Sequence, residues 1–299
     1  MRDILAAWGQ ADLPCTHHAA RENHVYRVGA PPQFALRQHR RGLRSLEQIE
    51  AELTWMGHLA DQGLAVPRPQ ALTAGGLVLD VDGQLYSLIT WLPGVQLGQG
   101  QRPLTLTRRT ETFFQLGALL AKLHQLSGPE GLDRPLWDSE GLLGTQPLWG
   151  TFWDHPHLTP QQRQAFLTFR AQAQSELAAR ALPLQLIHAD PLQENVLVQD
   201  QGLALIDFDD CAYGFTSFDL VTPLVQRLPN PDYEELRAAL LNGYGQRVDP
   251  PLLDLMLAIR CLTYVGWVKD KMADAAGQAM SGRIVRRAVS QVETYLART

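Results

Sequence analysis

The stretch Leu184–Leu220, LQLIHADPLQENVLVQDQGLALIDFDDCAYGFTSFDL, is the part of the chain whose reading decides the rest. It opens on an apolar run, Leu184 to Ile187, and breaks at His188-Ala189-Asp190. Apolar residues resume at Val196-Leu197-Val198, and a second run, Leu203 to Ile206, stops at Asp207. The intervening Asp200-Gln201-Gly202, with Gly last, predicts a hairpin with a three-residue connection, Gly202 supplying the left-handed conformation. A hairpin centred on Gln201 makes Asn195 and Asp207 equidistant from the turn, and residues opposed across a hairpin share a face. An amide oxygen and a carboxylate then meet at the open end, just past the loop bearing Asp190. Three oxygen-bearing side chains there suit a hard cation such as Mg²⁺ and a hydroxyl to be deprotonated. A polar hairpin end with solvated side chains fits the same spacing equally well.

The whole ordered string narrows that choice. His188-x-Asp190-x-x-x-x-Asn195 followed by Ile206-Asp207-Phe208 resembles the catalytic and metal-binding signature of the aminoglycoside phosphotransferase / choline kinase-like family. The longer run Ile206 to Gly214, with Phe218-Asp219-Leu220, is most similar to the branch of type II homoserine kinases and bacterial stress-response kinases. The resemblance implies an α+β, bilobal protein-kinase-like fold. Its small N-terminal antiparallel-sheet lobe would be residues 1–92 and bind nucleotide; its larger, mainly helical C-terminal lobe would be residues 93–299. It further implies that Asp190 is the catalytic base, that His188 braces the catalytic loop, and that Asn195 and Asp207 hold Mg²⁺ against the phosphates of ATP. Asp209 is a candidate for a second metal contact, and Asp219 for the buried carboxylate that ties the loop down, a helix N-cap being the plainer role for it.

The totals agree with an enzyme of this size. The 299 residues are 45% hydrophobic and 19% charged, enough for a well-buried core and against wholesale disorder. A net charge of -5 gives no general pull toward nucleic acid or an anionic membrane. Three widely spaced cysteines, Cys15, Cys211 and Cys261, argue against a disulfide framework and suit a reducing cytoplasm. The apolar run Ile4 to Trp8 is too short for a secretory segment.

Upstream, residues 1–14 predict a short amphipathic helix. His24–Val28 and Phe34–Arg37 predict strands, and Ala19 to Asn23 the loop before them. That loop lacks a GxGxxG; the resemblance makes Asn23 a phosphate-side candidate. Arg37 stands where kinase-like proteins usually place a phosphate-binding Lys, and its planar fork can take phosphate or carboxylate bidentately. His39, Arg40, Arg41 and Arg44 read as a solvated approach to the next helix.

That helix starts with a capping box, Ser45 and Gln48, and ends near Gly63. Glu52 falls inside its apolar stripe of Leu46, Ile49, Leu53, Met56 and Leu59, so it needs a cationic partner. The resemblance implies that the partner is Arg37. Leu77–Val81 and Leu85–Thr90 predict a second hairpin around Asp82-Gly83. The resemblance implies that Thr90-Trp91-Leu92 is the hinge, with backbone groups of Thr90 and Leu92 hydrogen-bonding the adenine.

Helices are expected at 110–126, 233–243, 251–272 and 283–296. His124 reads as a satisfied core histidine. The Trp-, Pro- and Gly-rich segment 128–160, with His155 and His157, reads as a packed loop rather than a metal site, and the resemblance makes it a candidate lining of the substrate cleft. The helix with Arg260, Tyr264, Trp267 and Lys269 reads as core. The expected function is an ATP-dependent kinase acting on a hydroxyl of a small molecule. Asp207, Asp209 and Asp210 would form an acidic pocket suited to a cationic acceptor. A protein Ser/Thr kinase of the stress-response type, or a nucleotide-binding pseudokinase with a regulatory role, are the alternatives. The choice of ATP over GTP stays open.

Overall fold

The computed structural model describes all residues except Arg21, Glu22, 99–107, Ser127, Pro229 and Thr299. In chain order the elements are α1 (Arg2–Ala6), β1 (Cys15–Ala20), β2 (His24–Val28), β3 (Phe34–Gln38), α2 (Leu46–Asp61), β4 (Val78–Val81), β5 (Gln84–Thr90) and β6 (Val95–Gln96). Then come α3 (Arg109–Gln125), β7 (Leu136–Trp137), α4 (Ser139–Leu143), α5 (Pro160–Arg180), β8 (Gln185–Ile187), β9 (Val196–Gln199), β10 (Gly202–Leu205) and β11 (Ala212–Gly214). Four helices close the chain: α6 (Thr216–Val225), α7 (Tyr233–Tyr244), α8 (Pro250–Val268) and α9 (Ala275–Leu296).

These elements gather into two compact units. The first comprises Met1–Leu104, Gln125–Arg134 and Gln193–Cys211; the second comprises Thr105–His124, Pro135–Leu192 and Ala212–Thr299. The hairpin bearing Asn195 and Asp207 thus packs with the N-terminal residues, although it lies far along the chain.

The first unit is built on an antiparallel sheet in the order β1-β2-β3-β5-β4. Asp82 and Gly83 both have positive φ, +51° and +73°, as a type I′ turn between β4 and β5 requires. Leu5 and Trp8 at the N-terminus pack on Val28, Leu36, Tyr86 and Leu88 of the sheet, so the first residues complete the core. Strand β1 is not signalled in the sequence: Thr16, His17 and His18 are exposed on an edge strand, where polar residues replace the apolar alternation that marks a buried one. Helix α2 carries the capping box, Ser45 and Gln48 bonding reciprocally. A second sheet, β10-β9-β6, holds the candidate metal-binding hairpin. Gly94, at φ +144°, enters β6 so close to the Val198 carbonyl that a Cβ would sit 2.9 Å from it. Only glycine lets the chain run that close.

The second unit is mainly helical. Its longest apolar helix, α8, is by length and hydropathy able to cross a membrane, but 83% of its apolar window is buried inside the protein. Helices α6 and α9 pack against it, while the small β7-β11-β8 sheet sets the chain leading into residues 188–190. Helix α5 was not expected from the apolar pattern, because only Phe166, Phe169, Ala173 and Leu177 of its 21 residues are buried. Its start is nonetheless written locally, by the Thr159–Gln162 capping box with Pro160 at the first helical position.

Candidate active site

Four charged or amide side chains meet in the first unit. Arg37 on β3 donates from Nη1 to Glu52 Oε1 at 2.6 Å and from Nη2 to Glu52 Oε2 at 3.3 Å. Both residues are buried, Arg37 at 5% exposure and Glu52 at 2%. A bidentate fork of this kind supplies the compensation that a buried carboxylate requires. Arg37 Nη2 also pairs with Asp209 Oδ1, and the Asn23 amide donates to Asp209 Oδ2. Asn23 Oδ1 in turn accepts from the Arg40 backbone N–H at 3.1 Å. One guanidinium between two carboxylates leaves a formal charge of −1 at this spot, which suits a further cation.

Of the basic residues that follow β3, Arg40 and Arg41 are exposed as expected, whereas His39 and Arg44 are not solvated. His39 is buried and bonds Ser87 Oγ at 2.9 Å. Burial, with Arg37 adding to it, pushes its pKa down to about 2, so the ring is neutral. Arg44 pairs with Asp210 at 3.1 Å. Arg134 is a residue that the sequence did not single out. It donates to the carbonyls of Asp209 (2.6 Å), Cys211 (2.6 Å) and Gln48 (3.0 Å), clamping the segment after Asp207 to α2. No local pattern marks it, because its partners are backbone groups distant in sequence. Phe208 is fully buried against Trp55 of α2, ring centroids 5.4 Å apart.

The hairpin register differs from the expected one. Gly202 pairs with Gln199 and Leu205 with Val196, so the connection is the two residues Asp200-Gln201 and the centre falls between them. Asn195 is therefore opposed to Ile206, whose N–H donates to the Asn195 carbonyl at 2.9 Å. Asp207 follows one residue later, and its positive φ, +66°, turns the chain out of the ladder there. Gly202 has the expected positive φ, +110°, but as the first residue of β10 instead of the last of the loop. Among the described residues no three His, Cys, Asp or Glu side chains group as a metal cluster. The oxygen donors on this unit, Asn195, Asp207 and Asp209, are of the hard type that Mg²⁺ takes. Their chemistry fits that ion, although Asp209 would have to exchange Arg37 and Asn23 for it.

At the end of β5 the backbone has a defined donor and acceptor pattern. Thr90 N–H donates to the Arg68 carbonyl and Trp91 N–H to the Gln33 carbonyl, each at 2.8 Å. The Arg68 N–H goes to the Thr90 hydroxyl, 2.8 Å away, instead of the Thr90 carbonyl. The hydroxyl of Thr90 thus leaves its own carbonyl out of that pairing, and two residues on comes the Leu92 N–H. The two expected adenine contacts, the Thr90 carbonyl and the Leu92 N–H, both fall on this segment.

In the second unit Asp219 on α6 is fully buried and accepts from the backbone N–H groups of His188 (2.8 Å) and Ala189 (2.7 Å). His124 Nε2 lies 3.1 Å from the same carboxylate, and its Nδ1 3.0 Å from the Tyr244 hydroxyl. Asp219 thus ties down the loop, and His124 is a satisfied interior residue. Ala189 has φ +66°, a left-handed conformation that a side chain adopts only when held. His188 is buried, and its Nδ1 accepts from the Asp190 N–H at 3.3 Å, a bracing contact. The Asp190 side chain is 17% exposed, and its Oδ1 accepts from Arg260 Nη2 at 2.5 Å. Arg260 is read from the sequence as part of a core stripe; nothing in helical spacing marks a partner seventy residues away. His155 and His157 share Ser281 Oγ, at 3.0 and 3.3 Å.

Similarity to known proteins gives the family. The profile described as "Phosphotransferase enzyme family" matches residues 16–256. The chain belongs to that family. Among its relatives is a homoserine kinase of Xanthobacter autotrophicus, 28% identical over 194 residues, covering 63% of this chain and 57% of the relative. A homoserine kinase of Chelativorans sp. is 32% identical over 203 residues, covering 65% and 58%. The aligned part thus spans less than two thirds of these relatives' length. Among solved structures, a microcompartment-associated aminopropanol kinase superposes with a TM-score of 0.84 over 99% of this chain and 96% of that one, at 23% identity. The chain therefore has the protein-kinase-like fold that the motif string implied, with an antiparallel sheet in one unit and helices in the other.

Proposed function

We propose that this chain is an ATP-dependent phosphotransferase that moves the γ-phosphoryl group to a hydroxyl of a small molecule. The observation that carries the reading is the bracing of Asp190: a strained loop pinned through two backbone amides by a buried Asp219, with a guanidinium on the Asp190 carboxylate. A surface aspartate with no chemical task needs no such support. In the reaction the acceptor O–H bond breaks and its proton passes to Asp190. The acceptor oxygen bonds to the γ-phosphorus as the bond from phosphorus to the β,γ-bridging oxygen breaks, and ADP leaves. Such transfers depend on positioning and charge neutralisation more than on covalent work by the protein.

Arg37, oriented by Glu52, steadies the phosphates, with Asn23 beside it. The Thr90 carbonyl and Leu92 N–H take the adenine edge. Mg²⁺, when bound, would be held by Asn195 and Asp207, with Asp209 as a further ligand, and would neutralise charge on the phosphate oxygens. His188 keeps Asp190 in place.

The relatives named for homoserine and aminopropanol point to a small acceptor bearing both a hydroxyl and an amine. Asp209 and Asp210 have Arg37 and Arg44 as partners, so recognition of the amine is not assigned to them. The test is a thermal-shift screen with Mg²⁺-ATP and Mg²⁺-GTP, followed by L-homoserine and 1-aminopropan-2-ol as acceptors. Nucleotide should raise Tm with the logarithm of its concentration, and Asp190→Asn should abolish transfer. No shift with either nucleotide refutes the reading; label from γ-phosphate on protein instead of small solutes favours a protein kinase.

A further inference from the structure

The catalytic loop brings no cation of its own. Residues 188–195 contain neither Lys nor Arg, yet the Asp190 carboxylate carries a guanidinium, delivered by α8. Arg260 is fully buried. Its Nε donates to Thr222 Oγ1 on α6 at 3.1 Å, its Nη1 to Thr263 Oγ1 on α8 at 3.0 Å, and its Nη2 to Asp190 Oδ1 at 2.5 Å. Both threonine hydroxyls spend their protons on helix carbonyls: Thr222 donates to Phe218 O and Thr263 to Arg260 O, each at 2.8 Å. Only their lone pairs are left for the guanidinium, so its orientation is determined at two corners before Asp190 is met. Aromatic rings enclose it, with Cζ 4.1 Å from the Tyr264 centroid, 4.7 Å from Trp149 and 5.3 Å from Phe218.

We propose that Arg260 is a positioning residue for phosphoryl transfer, one that holds the Asp190 carboxylate aimed at the acceptor hydroxyl. The proposal rests on Asp190 being the base. Aromatic walls exclude water from the guanidinium, so its attraction for the carboxylate is less screened than on a surface. A flexible base can point away from its proton; one tied through a rigid, threonine-anchored guanidinium stays in register with a reacting group, and misplacement by about 1 Å costs on the order of 10²-fold in rate. Arg260 also supplies, from α8, the positive charge that the loop lacks.

The experiment uses the full chain with Mg²⁺-ATP, taking L-homoserine, 1-aminopropan-2-ol and water as acceptors. Arg260→Met keeps the volume and removes the charge. It should lower kcat about 10²-fold and leave the KM for nucleotide and the nucleotide-induced rise in Tm within threefold and within error of the wild type. Arg260→Lys should recover tenfold or more of the loss. If Arg260→Met does not fold, Thr222→Val carries the test: it removes the Nε acceptor at constant shape and should lower kcat about fivefold, with nucleotide KM unchanged, as loss of one buried hydrogen bond implies. Full kcat in Arg260→Met, or in Thr222→Val where that variant decides, overturns the role. So does a loss spread equally over kcat and nucleotide KM that Lys does not rescue, which marks a structural part only. A wild type that binds no nucleotide and transfers to none of the three acceptors removes the kinase reading itself, and Arg260's role with it.

Discussion

Asp219→Asn isolates how the loop at residues 188–190 is held. The buried carboxylate accepts the N–H groups of His188 and Ala189 at 2.8 and 2.7 Å, and His124 Nε2 at 3.1 Å. Asparagine keeps one acceptor oxygen and turns the other into an NH₂. Whichever way the amide is placed, one loop N–H then faces a donor. The retained bond loses its charge assistance, worth about 1 kcal/mol, and the orphaned N–H costs about 1–3 kcal/mol, so the variant should be about 3 kcal/mol less stable. That is a large fraction of a net stability of roughly 5–15 kcal/mol. At about 2–4 °C per kcal/mol for a chain of a few hundred residues, Tm should fall by about 6–12 °C. Left-handed Ala189, which costs about 1 kcal/mol by itself, is then free to relax, and kcat should drop at least as far as the stability while nucleotide KM holds. Urea midpoints and initial rates on the same preparation make the measurement. Adding Ala189→Gly removes the local strain and should change the stability of the variant by less than its cost in the wild type. A midpoint within about 1 kcal/mol of the wild type would show that Asp219 is not what pins the loop.

Glu52→Gln leaves Arg37 without its buried anionic partner and should raise the nucleotide KM about tenfold or more, from loss of a charge-assisted bond of about 1.5–3 kcal/mol; unchanged nucleotide titrations would separate Arg37 from phosphate binding. Leu92→Pro removes the N–H that the proposed reading gives to the adenine edge and should abolish most of the nucleotide-induced Tm rise without lowering the Tm of the free protein by a similar amount. The neutral His39 predicts a pH effect of definite sign. Its folded pKa is about 2 against an ordinary 6.5, so below 6.5 the unfolded chain binds a proton that the folded protein does not. The stability it contributes is complete above pH 6.5 and is lost as pH falls toward 2, at a limiting slope of about 1.4 kcal/mol per pH unit. Urea midpoints at pH 7, 6 and 5 should fall more steeply for the wild type than for His39→Gln; parallel lines would contradict the burial argument.

Much of this protein is legible without coordinates because the signals are local. Capping of α2 by Ser45 and Gln48 is a contact over three residues, and the Asp82-Gly83 turn is a choice of backbone angles that those two residue types allow. The apolar stripe of α2 even marked Glu52 as buried, since helical periodicity alone puts it inside. Strand β1 escaped because an exposed edge leaves no alternation, and α5 because its buried face is narrow.

What the tertiary structure decided are the pairings. The hairpin register moved by half a residue once strand pairing, and not residue type, set the turn, so Asn195 faces Ile206 instead of Asp207. Asp209 and Asp210, acidic pocket residues by composition, turned out to be bound by Arg37 and Arg44. Arg134 and Arg260 reach backbone carbonyls and a carboxylate dozens of residues away. A charge in a sequence has a residue type but no partner, and because Coulomb attraction and desolvation act through space, only folding selects which opposite charge it meets. Residues 184–220 determined which family the chain belongs to; α6 and α8 decided how their aspartate is held.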